Sequence, residues 1–428
     1  MRHLQAGFIP RILGGIGWLV TGPRAVWIVG GFAAVALASV AVASRIVVGD
    51  VRPGTALLWP DSPFNVAIDN INRSFAGTDE FYVIVRPRPA PTEAGDSGAG
   101  GRPRDGGGSR QAALADFLGI RQVPMLAEMR DFQRHLERHP LVRRTFSYAD
   151  FLPVVNRRLH GNHVKWEFLP ETPQEVAQFS HAMLRGTDPG DFNRFVNDRY
   201  RHANVIVWLE DHRGETLTQV VEWIGAYADR SGAGNGALEF QLASGSAGIL
   251  AAVNGEVARK EFLIFVLASL IVGLSCMVTF LSFLSALILM IPLVATNFIV
   301  MAIMVFMELG LDVNTLPVVS VGMGVGIDYG IYLLTRILQE YRRRGDYAAA
   351  VQAAIHTTGR AIFFTASIMV VSIGVWYFLS SFRFMAEMGF LLAMVMGVNM
   401  LGALLVIPAM IVVGRPRFAL SARLLVWD

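Results

Sequence analysis

Residues 316–338, LPVVSVGMGVGIDYGIYLLTRIL, form an apolar run that is long enough to cross a membrane and contains Asp328 as its only acidic residue. Asp328 lies 12 residues after Leu316. At about 1.5 Å per residue, it would be roughly 18 Å into a hydrocarbon core about 30 Å thick. A carboxylate at that depth costs about 2.5–3.5 kcal/mol on insertion scales, and acids in such places are usually functional. We therefore expect Asp328 to have a function.

Helical spacing divides the small residues of this stretch into two columns. The first column consists of Gly322, Gly326 and Gly330, and the second of Ser320, Gly324, Asp328 and Tyr332. An offset of two residues is about 200° around a helix, so the columns face nearly opposite ways. Glycines spaced by four let a neighbouring backbone approach closely in lipid. The pattern predicts one face for helix packing and another that carries the acid.

Composition indicates a membrane protein with one large aqueous domain. The chain has 428 residues, of which 53% are hydrophobic, and the mean hydropathy is +0.45. The net charge of +3 is small for this length and does not predict nucleic-acid binding. Cys276 is the only cysteine, which excludes an intramolecular disulfide and a cysteine-based metal site. Six runs are apolar and long enough to span: 25–44, 262–281, 284–307, 316–338, 361–380 and 386–413.

The placement of arginines predicts the topology. Residues 1–24 are expected to be a cytoplasmic segment before a first membrane helix at 25–46, and the arginine-rich link 339–360 and the tail 414–428 would also be cytoplasmic. A cleaved signal peptide is the alternative reading of the first span, but its charged leader and apolar run are longer than usual, which favours a retained helix. Residues 47–260 would then be periplasmic, and residues 261–413 would form a five-helix transmembrane domain.

The region 47–260 reads as an α+β domain. Strands are predicted at 80–86, 141–146, 203–210 and 238–243, and helices at 122–139 and 215–230. They make two strand–helix–strand units of ferredoxin-like type, each able to bury an apolar sheet face under its helix. Residues 90–111 are of low complexity and are predicted to be disordered. The fold class is thus a polytopic α-helical membrane protein with an α+β extracytoplasmic domain.

Two motifs give the chain a family resemblance. Residues 322–345, GMGVGIDYGIYLLTRILQEYRRRG, combine glycines, an Asp-Tyr pair and a basic exit, and residues 349–366, AAVQAAIHTTGRAIFFTA, follow them. With one span, an outside domain and five further spans, the chain resembles one half of a transporter of the resistance–nodulation–division superfamily, in its MMPL-like branch. The five-helix cluster also resembles a sterol-sensing domain.

The resemblance implies a function and a location. It gives Asp328 and Tyr329 the role of an intramembrane proton relay that drives export of lipids or other hydrophobic substrates, in the cytoplasmic membrane of a bacterium. Such transporters usually have two six-helix halves, whereas this sequence shows one. The chain is therefore expected either to pair with a second half, as a homo- or hetero-oligomer, or to be a piece of a longer protein.

Other polar residues in the spans are weaker candidates. Asn297, Thr365 and Asn399 lie at a depth from which they could complete a polar cluster around Asp328, although intramembrane asparagines more often join helices. Gly322, Gly326 and Gly330 are expected to serve helix packing. His160, His163 and Glu167 have a spacing that could approach a metal, but a surface role is favoured.

The sequence predicts no cofactor, no bound metal, no nucleic-acid partner and no enzymatic activity, since no nucleophile–base grouping or nucleotide motif stands out. Membrane lipid is the expected surrounding. Two rival functions are left open: an auxiliary translocase subunit of the SecD/SecF type, and a non-transporting, sterol-sensing-like lipid-binding or scaffold protein.

Overall fold

The computed structural model describes residues 8–88, 118–188, 190–234 and 236–415. The loop at 90–111, predicted to be disordered, lies outside the described residues, and so does the tail from residue 416 onward. The chain forms two compact units: a helical unit of residues up to Asn65 and from Asn254 onward, and an α/β unit of residues 66–253.

The helical unit contains the predicted spans. Its helices are α1 (Phe8–Val20), α2 (Arg24–Ala43), α8 (Ser246–Phe280, from Asn254 onward), α9 (Phe283–Phe306), α10 (Leu316–Arg344), α11 (Tyr347–Ala354), α12 (Arg360–Gly374), α13 (Trp376–Leu379), α14 (Arg383–Leu401) and α15 (Ile407–Gly414). Single π-helical turns join α11 to α12 at Ile355–Gly359 and α14 to α15 at Gly402–Val406. The described residues contain six helices or helix runs long and apolar enough to cross a membrane, which confirms the six predicted spans.

Local signals account for the bounds of the Asp328 helix. A proline at the second position of α10 suits the first turn of a helix, where its missing N–H is no loss. Gly345 ends α10 in a left-handed conformation with φ of 71°, which glycine adopts without steric cost. Arg342, Arg343 and Arg344 fill the last turn, where positive charge is favoured by the helix dipole.

The α/β unit is built on one four-stranded antiparallel sheet. Its strands are β1 (Asp79–Pro87), β2 (Val142–Phe146), β3 (Ala203–Leu209) and β4 (Leu238–Ser244), in the order β2-β3-β1-β4. Helix α4 (Val123–Leu136) joins β1 to β2, and α7 (Gly214–Ala233) joins β3 to β4. This is the split βαβ arrangement, so the predicted ferredoxin-like α+β class is confirmed.

One face of this sheet makes the core of the α/β unit. Alternate residues of β1, Phe81, Val83 and Val85, are fully buried and share a hydrophobic cluster with Phe132 of α4 and Val220 of α7. The period of two in the strand and the apolar stripe of each helix produce this layer.

Four helices were not predicted. They are α1, α3 (Pro63–Ser74), α5 (Tyr148–Leu159) and α6 (Pro173–Arg185). Both α5 and α6 begin with a capping box, from Ser147 to Asp150 and from Thr172 to Glu175. These S/T-x-x-D/E patterns are visible in the sequence and could have indicated the two helix starts.

Candidate functional site

Helix α10 has a packed face lined by the first glycine column. An added Cβ would lie 2.4 Å from Val395 at Gly322 and 2.1 Å from the Asn399 amide nitrogen at Gly326. At Gly330 it would lie 2.9 Å from Leu289. Neighbouring helices therefore approach α10 to a distance that only glycine allows at these three positions.

Nothing in the described part of the chain covers the opposite face of α10. Val321, Gly324, Asp328 and Tyr332 are all exposed, and nothing lies within 4 Å of a Cβ built on Gly324. The Asp328 carboxylate forms no hydrogen bond or ion pair with any residue that the structure describes. The acid thus projects from the side of a membrane-length helix, midway along it, without a protein partner in the described part of the chain.

Tyr329 is directed differently from Asp328, although the two are adjacent. Its side chain is 7% exposed and belongs to the hydrophobic cluster of the helical unit. Successive residues of a helix point about 100° apart, which accounts for the difference. No hydrogen bond joins the Tyr329 hydroxyl to Asp328 among the described residues.

The three polar neighbours suggested by the sequence are not gathered around Asp328. Asn399 is buried and donates a hydrogen bond of 3.1 Å to the carbonyl of Gly322, on the glycine face of α10. Asn297 is buried and donates to Leu293 of its own helix, at 3.3 Å. Thr365 is exposed and bonds to the Ala361 carbonyl of α12, at 3.0 Å. Of the three side chains, Asn399 is hydrogen-bonded to α10.

A second charged group lies further along α10. Glu340 is buried and forms ion pairs with Arg336 at 2.8 Å and with Arg344 at 2.9 Å. These residues are spaced by four, so the helix itself brings them together. From the sequence these arginines were predicted only to mark the topology, and their convergence on one carboxylate was not predicted.

A polar cavity of about 30 Å³ lies where α10 and α14 begin, enough space for one or two water molecules. Arg383 and Glu387, one turn apart on α14, line it and form an ion pair at 2.6 Å. Arg383 is 8% exposed. This pair was not predicted from the sequence, although two opposite charges four residues apart at a helix start could have indicated it.

The α/β unit has its own charged cluster. Glu80 accepts a hydrogen bond of 2.6 Å from the Tyr82 hydroxyl and pairs with Arg194. Partial burial works to raise the pKa of the Glu80 carboxyl, but the hydrogen bonds from Tyr82 and Arg194 and the charge of Arg194 outweigh it, and the pKa is lowered. The cluster lies on the sheet face opposite the helices α4 and α7, because Glu80 and Tyr82 alternate with the buried residues of β1.

The histidines singled out in the sequence have other contacts. The His160 ring stacks on Trp166 with 3.9 Å between ring centres, and Glu167 pairs with Arg157 at 2.9 Å. His163 lies in the same loop and is exposed.

Comparison with known proteins supplies the family. The model of the MMPL family matches residues 187–424, which is more than half of the chain and includes all of α10. The chain belongs to the MMPL family. This MMPL chain is therefore a multi-pass membrane protein of a transporter family within the resistance–nodulation–division superfamily, and the resemblance read from the Asp-Tyr motif is confirmed.

Individual relatives of this MMPL chain match over short regions. The trehalose monomycolate exporter MmpL3 of Mycolicibacterium smegmatis is 40% identical over 57 residues, 13% of this chain and 6% of the exporter. A protein of Streptomyces coelicolor described as a membrane protein is 34% identical over 91 residues, 21% of this chain and 13% of that protein. Another such protein, from Methanocaldococcus jannaschii, is 32% identical over 107 residues, 25% of this chain and 27% of that protein. The matched region thus spans under a third of each relative.

Proposed function

We propose that this chain is the proton-coupled half of an exporter that moves lipids or other hydrophobic molecules across a bacterial cytoplasmic membrane. The observation that carries the proposal is the position of Asp328. It is the only acid among residues 316–338 and lies on an uncovered face of α10. In lipid, a carboxylate without a partner is costly, so it must be neutral, paired or hydrated.

A carboxylate that alternates between these states is a proton carrier. Proton binding removes the charge and lets the face of α10 meet an apolar surface, whereas proton release requires water or a donor beside it. The glycine face provides the other half of the mechanism, since a helix that packs through glycines can shift without dragging side chains past one another. Asp328 would therefore set the position of α10 according to its protonation.

The uncovered face also supports a second helical domain. Transporters of the superfamily that this chain resembles usually have two six-helix halves. A second half placed over Val321, Asp328 and Tyr332 would cover an acid that nothing in the described chain covers. It could supply the cation, hydroxyl or bound water that completes the relay. Tyr329, Asn297, Thr365 and Asn399 would then act in the relay only if α10 rotates or neighbouring water reaches them.

The substrate class rests on the family and on one relative. One of the proteins to which this chain is similar, MmpL3, is an exporter of trehalose monomycolate, which favours a lipid substrate. The nearly apolar groove between α2 and α9, about 370 Å³ and lined by Leu37, Met290 and Phe298 among others, is compatible with a membrane lipid chain.

The test is Asp328→Asn, which keeps the shape of the side chain but cannot release a proton. In proteoliposomes with an imposed pH gradient and a trapped pH-sensitive dye, wild type should take up protons and the variant should not. Tyr332→Phe is the matched control, because it alters the same exposed face one turn away without removing an acid. Uptake by Asp328→Asn at the wild-type rate would contradict the proposal and favour a scaffold role.

A further inference from the structure

A segment of irregular backbone, residues 47–62, joins α2 to α3 and belongs to the helical unit. We call it the strap. It is attached at two points, one to the link before α10 and the other to the link before α14. It then continues directly into α3, which leads into the α/β unit.

The first attachment is to the link between α9 and α10. The Gly49 amide donates to the carbonyl of Leu311 at 2.8 Å, and the Leu311 amide donates to the carbonyl of Val47 at 2.8 Å. Arg52 forms an ion pair with Glu308 at 3.0 Å. An added Cβ on Gly310 would lie 1.9 Å from the Gly49 carbonyl oxygen, so the two backbones touch.

The second attachment is to the link between α13 and α14. The Arg383 amide donates to the carbonyl of Leu57 at 2.9 Å, and Leu58 and Phe382 are paired as in an antiparallel bridge. The Trp59 indole donates to the carbonyl of Ser380 at 3.2 Å.

One buried side chain gives the strap its shape. The Asn65 carboxamide accepts from the Thr55 amide at 2.9 Å and donates to the carbonyls of Leu58 at 3.3 Å and Trp59 at 3.0 Å. Asn65 is 6% exposed. Because it is in the first turn of α3, Asn65 fastens the strap to the helix that leads into the α/β unit.

From these contacts we infer that the strap transmits movement of α10 to the α/β unit, with Asn65 as the positioning residue. This inference rests on the proposed function, since it needs α10 to respond to the protonation of Asp328. Helix α10 packs against α14 through Gly322 and Gly326, so at these positions no side chain of α10 lies between the two helices, and the strap holds the link that leads directly into α10. When α10 shifts, the strap moves with it and its hydrogen bonds to the link at Phe382 and Arg383 break. Because Asn65 is bonded to the strap, α3 moves as well.

The first experiment uses hydrogen–deuterium exchange of the complete chain in proteoliposomes at pH 5.5 and pH 7.5, corrected for intrinsic rates. In wild type, protection should differ between the two pH values both in α10 and in α3 and β1. Asp328→Asn should abolish both differences. Asn65→Ala should keep the difference in α10 and lose it in α3 and β1. Asn70→Ala is the matched control, because Asn70 is exposed on the same helix, and it should behave like wild type.

The outcomes separate the two ideas. If α3 and β1 of Asn65→Ala respond as in wild type, the strap inference is wrong while the proposed function stands. If wild type shows no pH response in α10, or Asp328→Asn keeps it, the proposed function is wrong and the strap inference falls with it.

A reversible cross-link tests the same idea without removing the Asn65 bonds. Leu58→Cys with Phe382→Cys, in a Cys276→Ser background, would tie the strap to the α14 link when oxidised. The α3 and β1 response should disappear on oxidation and return on reduction, and each single-cysteine variant should respond under both conditions. A response that persists in the fully oxidised double variant would overturn the inference.

Discussion

At the scale of single residues, the glycines of α10 differ in what surrounds them, although the sequence repeats them alike. Gly326 lies against the Asn399 amide, whereas Gly324, two residues earlier, has nothing within 4 Å. The sequence predicted that the column of Gly322, Gly326 and Gly330 packs against a helix. It could not predict which side chains lie against each glycine, because spacing places residues on faces without saying what covers each face.

This difference predicts opposite effects of one added methyl group. Gly326→Ala must displace Asn399, which would also break its hydrogen bond to the Gly322 carbonyl, and overpacking of this kind costs about 1–3 kcal/mol. Gly324→Ala meets no atom and should stabilise the helix by about 0.5–1 kcal/mol. Thermal unfolding of the purified protein in detergent measures both. Equal midpoints for the two variants would contradict the packing assigned to this face.

At the scale of elements, helices and strands with a regular pattern could be predicted from the sequence, whereas contacts between distant parts of the chain could not. The spans and β1–β4 follow from runs and periods that lie within a few residues, and their predicted bounds agree with the structure to within a few residues for most elements. The strap has no such period. Its bonds join Gly49 to Leu311 and Trp59 to Ser380, partners more than 250 residues apart. The same limit applies to Asn399, whose partner depends on which helix lies beside it.

The sheet of the α/β unit should be sensitive to the charge of Glu80. Glu80→Gln removes the ion pair with Arg194. The free energy of opening of β1 should fall by about 1 kcal/mol, so the β1 amides should exchange about fivefold faster at pH 7. We take this low value for a charge-assisted hydrogen bond because solvent screens the site. Exchange measured on the complete chain, with Glu222→Gln on the exposed face of α7 as control, checks the value.

The same variant has a predictable pH dependence. The pKa of Glu80 is lowered in the folded protein, so its stabilising contribution is complete above its unfolded value of about 4.3 and is lost as the pH falls through the folded value. The difference between wild type and Glu80→Gln should therefore close at acid pH. A difference that grows on acidification would mean that the carboxyl is not held in its charged form by Tyr82 and Arg194.

At the scale of the whole molecule, the uncovered face of α10 requires a polar partner more than any other exposed surface of the helical unit. Asp328 and Tyr332 are exposed on a membrane-length helix whose other face is closely packed. Exposed apolar side chains on α8, such as Leu270 at 65%, need only lipid around them. A carboxylate facing lipid does need a partner, which is why the two exposed faces predict different surroundings.

Cross-linking in native membranes can distinguish these surroundings. In a Cys276→Ser background, a photoreactive group can be attached to the thiol of Tyr332→Cys; on illumination it inserts into C–H bonds of whatever lies beside it. It should form a covalent adduct with a second helical domain, because that position would face protein. Leu270→Cys, labelled in the same way and similarly exposed but on α8, should form no protein adduct because it faces lipid. An adduct of twice the chain mass would identify a second copy, and a different mass would identify another half. If Tyr332→Cys and Leu270→Cys both stay monomeric, the carboxylate of Asp328 must find its partner in water or within this chain, and the second-half proposal is wrong.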